Sequence, residues 1–193
     1  MTGTMVPALL LAAGGLFAGF CWAARFHFRA NGVPGGMKLI SAASLLAFAA
    51  FVARLLLRGS GRGAGVALAL MAASAALFAW ALRSTRLDPP NVAFSATPAI
   101  RLFRHGPYRL VRHPFYTSYL LFWTATCLAA PGPSGWVALA ILAMLYIEAV
   151  RREEGEFAHS PLSGAYESYR RTTGAFLPRP SSLLRLGRRH ADS

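Results

Sequence analysis

Five long apolar runs, separated by short polar segments, constrain what this chain of 193 residues can fold into. They cover residues 5–24, 39–57, 64–82, 115–130 and 136–150. The first run contains no charged residue and would measure about 30 Å as a helix, which matches the hydrocarbon thickness of a bilayer. The sequence therefore predicts an all-α, polytopic membrane protein with about five transmembrane helices.

The composition supports membrane insertion and argues against nucleic-acid binding. Charged residues make up only 14% of the chain, against about 25% in a soluble domain. The net charge is +13, but the arginines lie between the apolar runs and form no continuous stripe or tail. All but one of the 20 basic residues are arginine, and Ala and Gly are abundant, which indicates a GC-rich bacterial source. We therefore expect the bacterial inner membrane, with nucleic-acid binding only as a distant alternative.

The last two apolar runs are short and are joined by a sharp break, residues 131–135, rich in Pro and Gly. Together they predict a helical hairpin over residues 115–150. With five spans, one orientation places 17 basic residues on the inner side and 3 on or near the outer side. Because cytoplasmic loops carry an excess of Lys and Arg, we expect a cytoplasmic C-terminal catalytic region.

A basic turn precedes the fourth run and reads Gly106-Pro-Tyr-Arg-Leu-Val-Arg-His-Pro-Phe-Tyr116. Pro114 lacks a backbone donor and suits the first position of a helix, which places His113 beside the helix N-terminus. Free N–H groups there favour an anion such as a carboxylate, and Tyr116 follows about one helical turn later. The alternative is an interfacial belt, in which arginines meet lipid phosphates and tyrosines mark the headgroup level.

An acidic cluster follows the fifth run, since four of the seven acidic residues lie within residues 148–156. A carboxylate of Glu153 or Glu154 would suit the hydroxyl or amino groups of a cofactor. The alternative is local pairing with Arg151 and Arg152 at a helix end. Farther on, Tyr166 and Tyr169 are three residues apart, which predicts one face of a short helix covering the site. We expect no metal site, because Cys21 and Cys127 lie in separate apolar runs without metal-ligand spacing.

These motifs, in this order, resemble those of the isoprenylcysteine carboxyl methyltransferase and phospholipid methyltransferase superfamily of integral membrane enzymes. The resemblance covers about residues 100–180 and ends with Phe176-Leu177-Pro178. It implies S-adenosylmethionine as cofactor, bound in a cytoplasmic pocket, and a lipid-like acceptor that enters from the bilayer. The cofactor-binding residues that it implies are Tyr108, His113, Pro114, Phe115, Tyr116 and Glu153, with Glu154 beside them.

One departure from the family pattern affects the candidate catalytic residues. Many members carry an arginine four residues before the first glutamate, where this chain has Ala149. Arg151 or Arg152 is expected to take over its role toward the acceptor, and His113 is the third candidate, as a base. The chain then divides into an N-terminal three-helix membrane region (1–82), a methyltransferase region (83–180) and a basic, flexible tail (181–193).

The resulting hypothesis is an S-adenosylmethionine-dependent methyltransferase that methylates a hydroxyl of a long-chain phenolic lipid, such as an alkylresorcinol or alkylpyrone. Carboxyl methylation of a prenylated cysteine and N-methylation of phosphatidylethanolamine remain open. An alternative of another class is a non-enzymatic, lipid-binding membrane scaffold, which the alanine at position 149 favours. The sequence gives no oligomeric state.

Overall fold

The computed structural model of this protein describes residues 5–29, 32–94 and 101–180. Within these ranges the chain forms six α-helices and one short 3₁₀ helix, without a named strand, which confirms the all-α prediction. The predicted flexible tail, residues 181–193, lies outside the described residues. The helices are α1 (Met5–Phe26), α2 (Gly35–Arg58), α3 (Ala64–Thr85), the 3₁₀ helix (Gly106–Arg109), α4 (Pro114–Ala129), α5 (Pro133–Ala158) and α6 (Ser163–Thr172).

Four of the described helices, α1, α2, α3 and α5, are long and apolar enough to cross a membrane. The fifth expected span, α4, has 16 residues and measures about 24 Å, less than the roughly 30 Å of the hydrocarbon core. Helix α5 has 26 residues and ends at Ala158, where the sequence predicted an end at Val150. The acidic cluster therefore lies on the last turns of a helix.

The core of the bundle lies where α3 packs along α4. The Ser74 hydroxyl on α3 donates a hydrogen bond of 2.7 Å to the Ser118 carbonyl on α4, and both residues are buried. The Phe20 ring contacts the rings of Phe78 and Phe122 edge-on, with centroid distances of 4.8 and 5.3 Å. Apolar side chains such as Leu57 are exposed on the outer faces of the helices, as expected where a bundle meets lipid.

Arg54, near the end of α2, contacts the turn between α4 and α5. Its guanidinium donates to the Ala130 carbonyl at 3.3 Å and to the Ser134 hydroxyl at 3.0 Å. These carbonyl and hydroxyl groups lie at the end of α4 and the start of α5, where the helices leave backbone groups without partners. Arg54 therefore fixes the hairpin against α2 at the end opposite the acidic cluster.

At the other end of the bundle, the segment after α1 pairs with the segment after α3. Arg29 donates from its amide to the Pro90 carbonyl at 3.0 Å and accepts from the Val92 amide at 2.9 Å. The Asp88 carboxylate lies between the guanidinium groups of Arg29 and Arg101, at 3.0 and 2.7 Å. These contacts bring the N-terminal helices to the same end of the molecule as the basic turn.

Candidate active site

The basic turn enters α4 as the sequence predicts. His113 is the residue immediately before the helix, with φ −126° and ψ 68°, and Pro114 occupies the first helical position. The carbonyl of His113 accepts the first helical hydrogen bond, from the Thr117 amide at 3.0 Å. The amides of Phe115 and Tyr116 belong to the first turn, where a helix offers N–H groups to an anion.

A C-terminal clamp, residues 173–176, holds this turn from the far side. The amides of Arg112 and His113 donate to the carbonyls of Gly174 and Ala175, at 2.8 and 3.1 Å. A side chain at Gly174 would overlap the carbonyl of Leu177, so the chain can fold this tightly only with glycine there. The clamp fixes the backbone that presents His113 to the site.

The acidic cluster meets the basic turn through side chains of α4 and α5. The Tyr116 hydroxyl donates to the Glu153 carboxylate at 2.6 Å, and His113 donates from Nε2 to the Glu154 carboxylate at 3.1 Å. The other ring nitrogen of His113 lies 3.5 Å from Glu153. The alternative of purely local pairing is therefore wrong for these two glutamates. Within the acidic cluster, it is Glu148 that pairs locally, with Arg152 at 2.8 Å.

Arg112 joins three parts of the site and is buried. Its guanidinium donates from Nε and from one terminal nitrogen to a single oxygen of Glu154, at 3.1 and 2.7 Å. The other terminal nitrogen donates to the Thr173 carbonyl at 2.5 Å and to the Arg170 carbonyl at 3.4 Å. The ion pair thereby links the basic turn, α5 and the end of α6. Glu154 is therefore held by Arg112 and His113 at once.

The two carboxylates determine the protonation of His113. Burial disfavours its charged form, but the hydrogen bonds and negative charges of Glu153 and Glu154 outweigh burial and raise the pKa of His113 above its ordinary value. The positive imidazolium is thus favoured in the folded protein. The stability that this contributes is full below the unfolded pKa, about 6.5, and is lost as the pH rises through the higher folded value.

A cavity of about 1430 Å³ opens between the basic turn, the end of α5 and the N-terminal helices. Its lining includes His113, Tyr116 and Glu153. Residues of the 3₁₀ helix, the α5–α6 loop and α6 also contribute to the wall. The remaining wall comes from α1, α2 and the segments that follow α1 and α3, among them Phe28, Met37, Ile40, Asp88, Phe94 and Arg101.

Most of the site residues predicted from the sequence line this cavity. These are Tyr108, His113, Pro114, Phe115, Tyr116, Arg152 and Glu153. Glu154 and Arg151 are not part of the lining, and Arg151 is exposed. Ala149, at the position of the expected arginine, is fully buried in the core. Arg152 is therefore the one of the two neighbouring arginines that the structure brings to the cavity, where it stacks over the Phe94 ring at 5.2 Å.

The predicted short helix with Tyr166 and Tyr169 is α6, and both side chains are buried and line the cavity. The Tyr169 hydroxyl donates to the Tyr108 carbonyl at 2.5 Å. The Tyr166 hydroxyl lies beside the Glu154 carboxylate but makes no hydrogen bond of normal geometry to a described residue. The buried hydroxyl is thus enclosed with the Arg112–Glu154 ion pair. The carboxylate of Glu153, which lines the cavity, suits a ligand that carries amino or hydroxyl groups.

Three contributors to the site were not predicted from the sequence. Arg112 was given no role of its own, although it forms the ion pair with Glu154. Tyr119 and Tyr146 also line the cavity. Tyr119 follows Tyr116 by three residues, so helical spacing was a signal that both side chains lie on one face of α4. No local pattern connects Tyr146 to either of them.

The family model described as phospholipid methyltransferase matches residues 64–160, about half of the chain. No curated protein and no solved structure shows a significant match. The matched residues begin at α3, earlier than the motifs alone indicated, and contain the basic turn, α4, the acidic cluster and most of the cavity wall. With its all-helical bundle and its membrane-spanning helices, the chain belongs to the phospholipid methyltransferase family.

Proposed function

We propose that this protein uses S-adenosylmethionine to methylate a hydroxyl group of a long-chain phenolic lipid, such as an alkylresorcinol or alkylpyrone. Its family implies a membrane methyltransferase that acts on lipid-like substrates with S-adenosylmethionine as donor. One observation carries the proposal: Glu153, which accepts a hydrogen bond from Tyr116, lines the same cavity as residues of α6 and apolar residues of the N-terminal helices. Ligand cavities commonly measure about 300–1,000 Å³, so this larger one has room for a donor and part of a lipid.

The donor's place in this proposal is the side of the cavity that α6 lines. Glu153 would accept hydrogen bonds from its amino or ribose groups, and the first turn of α4 would favour its carboxylate. Tyr108, His113, Phe115 and Tyr116 form the surrounding wall. When bound, S-adenosylmethionine supplies the methyl group on a positively charged sulfur. The protein itself aligns the two substrates and keeps water out of the space between them.

The acceptor's place in this proposal is the side of the cavity that α1 and α2 line. Phe28, Met37 and Ile40 supply an apolar wall there, and both helices are long and apolar enough to span a membrane. A lipid chain can therefore remain among apolar side chains while its polar head reaches toward Glu153. This arrangement supports an amphiphilic acceptor over a soluble one.

A phenolic acceptor must lose its proton, since free phenol has a pKa of about 10. Arg152 lines the cavity. One of its nitrogens donates to Glu148, and its guanidinium charge would still favour the phenolate over the phenol. His113 is less suited to act as base, because both of its ring nitrogens face carboxylates that favour its protonated form. An anionic acceptor beside an arginine is the reason for preferring O-methylation to methylation of an amine.

Membranes that contain the protein should transfer label from radiolabelled S-adenosylmethionine to a long-chain alkylresorcinol. Parallel incubations with a prenylated cysteine analogue and with phosphatidylethanolamine test the two other acceptor classes. Membranes with Glu153→Gln serve as the background. Label confined to one of the other two lipids would overturn the phenolic assignment, and no label in any lipid would overturn the enzymatic function.

We further propose that the site and the C-terminus face the cytoplasm of a bacterial cell. The support is the excess of basic residues on the segments at this end. A reporter enzyme that is active only in the cytoplasm is expected to work when fused after residue 180, and to be inactive when inserted between α2 and α3. The reverse pattern would contradict this orientation.

A further inference from the structure

Three tyrosine rings form one corner of the cavity, where α4 faces α5. Tyr116 and Tyr119 lie one helical turn apart on α4, and Tyr146 lies on α5. The ring centroids form a triangle with sides of 6.2 Å (Tyr116–Tyr119), 5.5 Å (Tyr116–Tyr146) and 5.8 Å (Tyr119–Tyr146). All three rings line the cavity. The corner is therefore walled by aromatic faces and edges from two helices.

Contacts outside the triangle fix each ring. The Tyr116 hydroxyl donates to Glu153 at 2.6 Å. The Tyr146 hydroxyl accepts from the Trp123 indole at 3.1 Å. Tyr119 packs edge-on against Phe20, with a centroid distance of 4.7 Å, and donates no hydrogen bond to a described residue. The rings are thus held in place before any ligand binds, which lowers the entropic cost of binding.

The chemistry of the corner suits a methylated cation. The face of an aromatic ring carries negative charge density and attracts a cation within about 6 Å, and cages of such rings are used to bind quaternary ammonium groups. Glu153 adds a full negative charge beside the Tyr116 ring. Apolar packing between α4 and α5 requires no hydroxyl, and polar groups among membrane helices are commonly functional.

We propose that Tyr116, Tyr119 and Tyr146 form an aromatic cage that holds the positively charged sulfonium group of the methyl donor. The inference rests on the proposed function, because it assumes S-adenosylmethionine in this cavity. It goes beyond that function in assigning Tyr119 and Tyr146 as positioning residues. It also gives the site a means of telling donor from product, since the product is a neutral thioether and loses the attraction to the rings.

The test compares the affinities of the purified full-length protein for S-adenosylmethionine and S-adenosylhomocysteine, measured by titration calorimetry in detergent. The wild type should bind the charged ligand more tightly. Tyr119→Leu should lower the affinity for S-adenosylmethionine by about 3- to 30-fold, which is the range of one cation–aromatic contact. Its affinity for S-adenosylhomocysteine should stay almost unchanged. Tyr119→Phe keeps the ring and should keep the preference. Tyr146→Leu and Tyr146→Phe repeat the comparison on α5.

The outcomes separate this inference from the proposed function. If the wild type binds neither ligand, the proposed function fails and the cage fails with it. If the wild type binds both ligands, but the leucine variants lower the two affinities in equal proportion or abolish binding of both ligands, the cage is wrong while the donor site stands. The last outcome is a phenylalanine variant that loses the preference for S-adenosylmethionine as fully as the leucine variant does. That result would assign the effect to the hydroxyl and would overturn the cage.

Discussion

Replacing Arg112 with methionine is expected to lower the free energy of unfolding by about 3 kcal/mol, because removing one partner of a buried ion pair leaves an uncompensated charge. The remaining charge would be that of Glu154, whose side chain is 18% exposed. The variant also loses the donors to Thr173 and Arg170, so the C-terminal clamp should loosen from the basic turn. For a chain of this size, we expect the Tm in detergent to fall by on the order of 6–12 °C.

Arg171→Met is the matched control, because Arg171 pairs with Glu167 on the exposed face of α6. Exposed pairs contribute about 0–1 kcal/mol, so its Tm should change little. The double variant Arg112→Met with Glu154→Gln should recover part of the lost Tm, because it also removes the stranded charge. Equal Tm values for Arg112→Met and the wild type would show that the buried pair is not what holds the turn to α5.

Replacing Glu153 with glutamine is expected to abolish most of the affinity for S-adenosylhomocysteine and leave the fold intact. The change preserves the shape of the side chain but removes its charge from the wall of the cavity. Hydrogen bonds to charged groups contribute about 1.5–3 kcal/mol each, which corresponds to a loss of roughly 10- to 150-fold for one bond. Titration calorimetry of the full-length protein in detergent measures the loss directly.

Glu167→Gln is the control for this experiment, because Glu167 is half-exposed on α6 and does not line the cavity. We expect its affinity to equal that of the wild type, whereas His113→Ala should bind as weakly as Glu153→Gln. Wild-type affinity in both site variants would place the donor elsewhere. A wild type without saturable heat would instead favour the non-enzymatic scaffold.

The helices were predictable because each depends on features close together in the sequence. Long uncharged runs predict spans, and the break at residues 131–135 predicts the hairpin turn. His113 followed by Pro114 predicts the start of α4, since proline restricts the residue before it and suits the first helical position. The end of α5 was missed by eight residues, 150 against 158, because hydropathy stops at the polar residues while the helical hydrogen bonds continue through them.

The site was predictable as a set of motifs but not as an arrangement. Consecutive residues on a helix point about 100° apart, so Glu153 and Glu154 had to face different surroundings. The sequence offered no means of deciding which of them faces the cavity. Arg112 illustrates the same difficulty. Its guanidinium donates four hydrogen bonds, and the residues that accept them follow Arg112 by 42 to 61 positions.

The sequence by itself determined the helical membrane fold, the start of α4 and the residue types of the site, because local spacing, hydropathy and proline chemistry act within a few residues. Only the tertiary structure decided that Glu153 faces the cavity, that Glu154 pairs with Arg112, and that Tyr146 packs against two tyrosines of α4. These outcomes depend on how α4 and α5 rotate against each other. That rotation is set by the packing of side chains far apart in the sequence, which a local pattern does not encode.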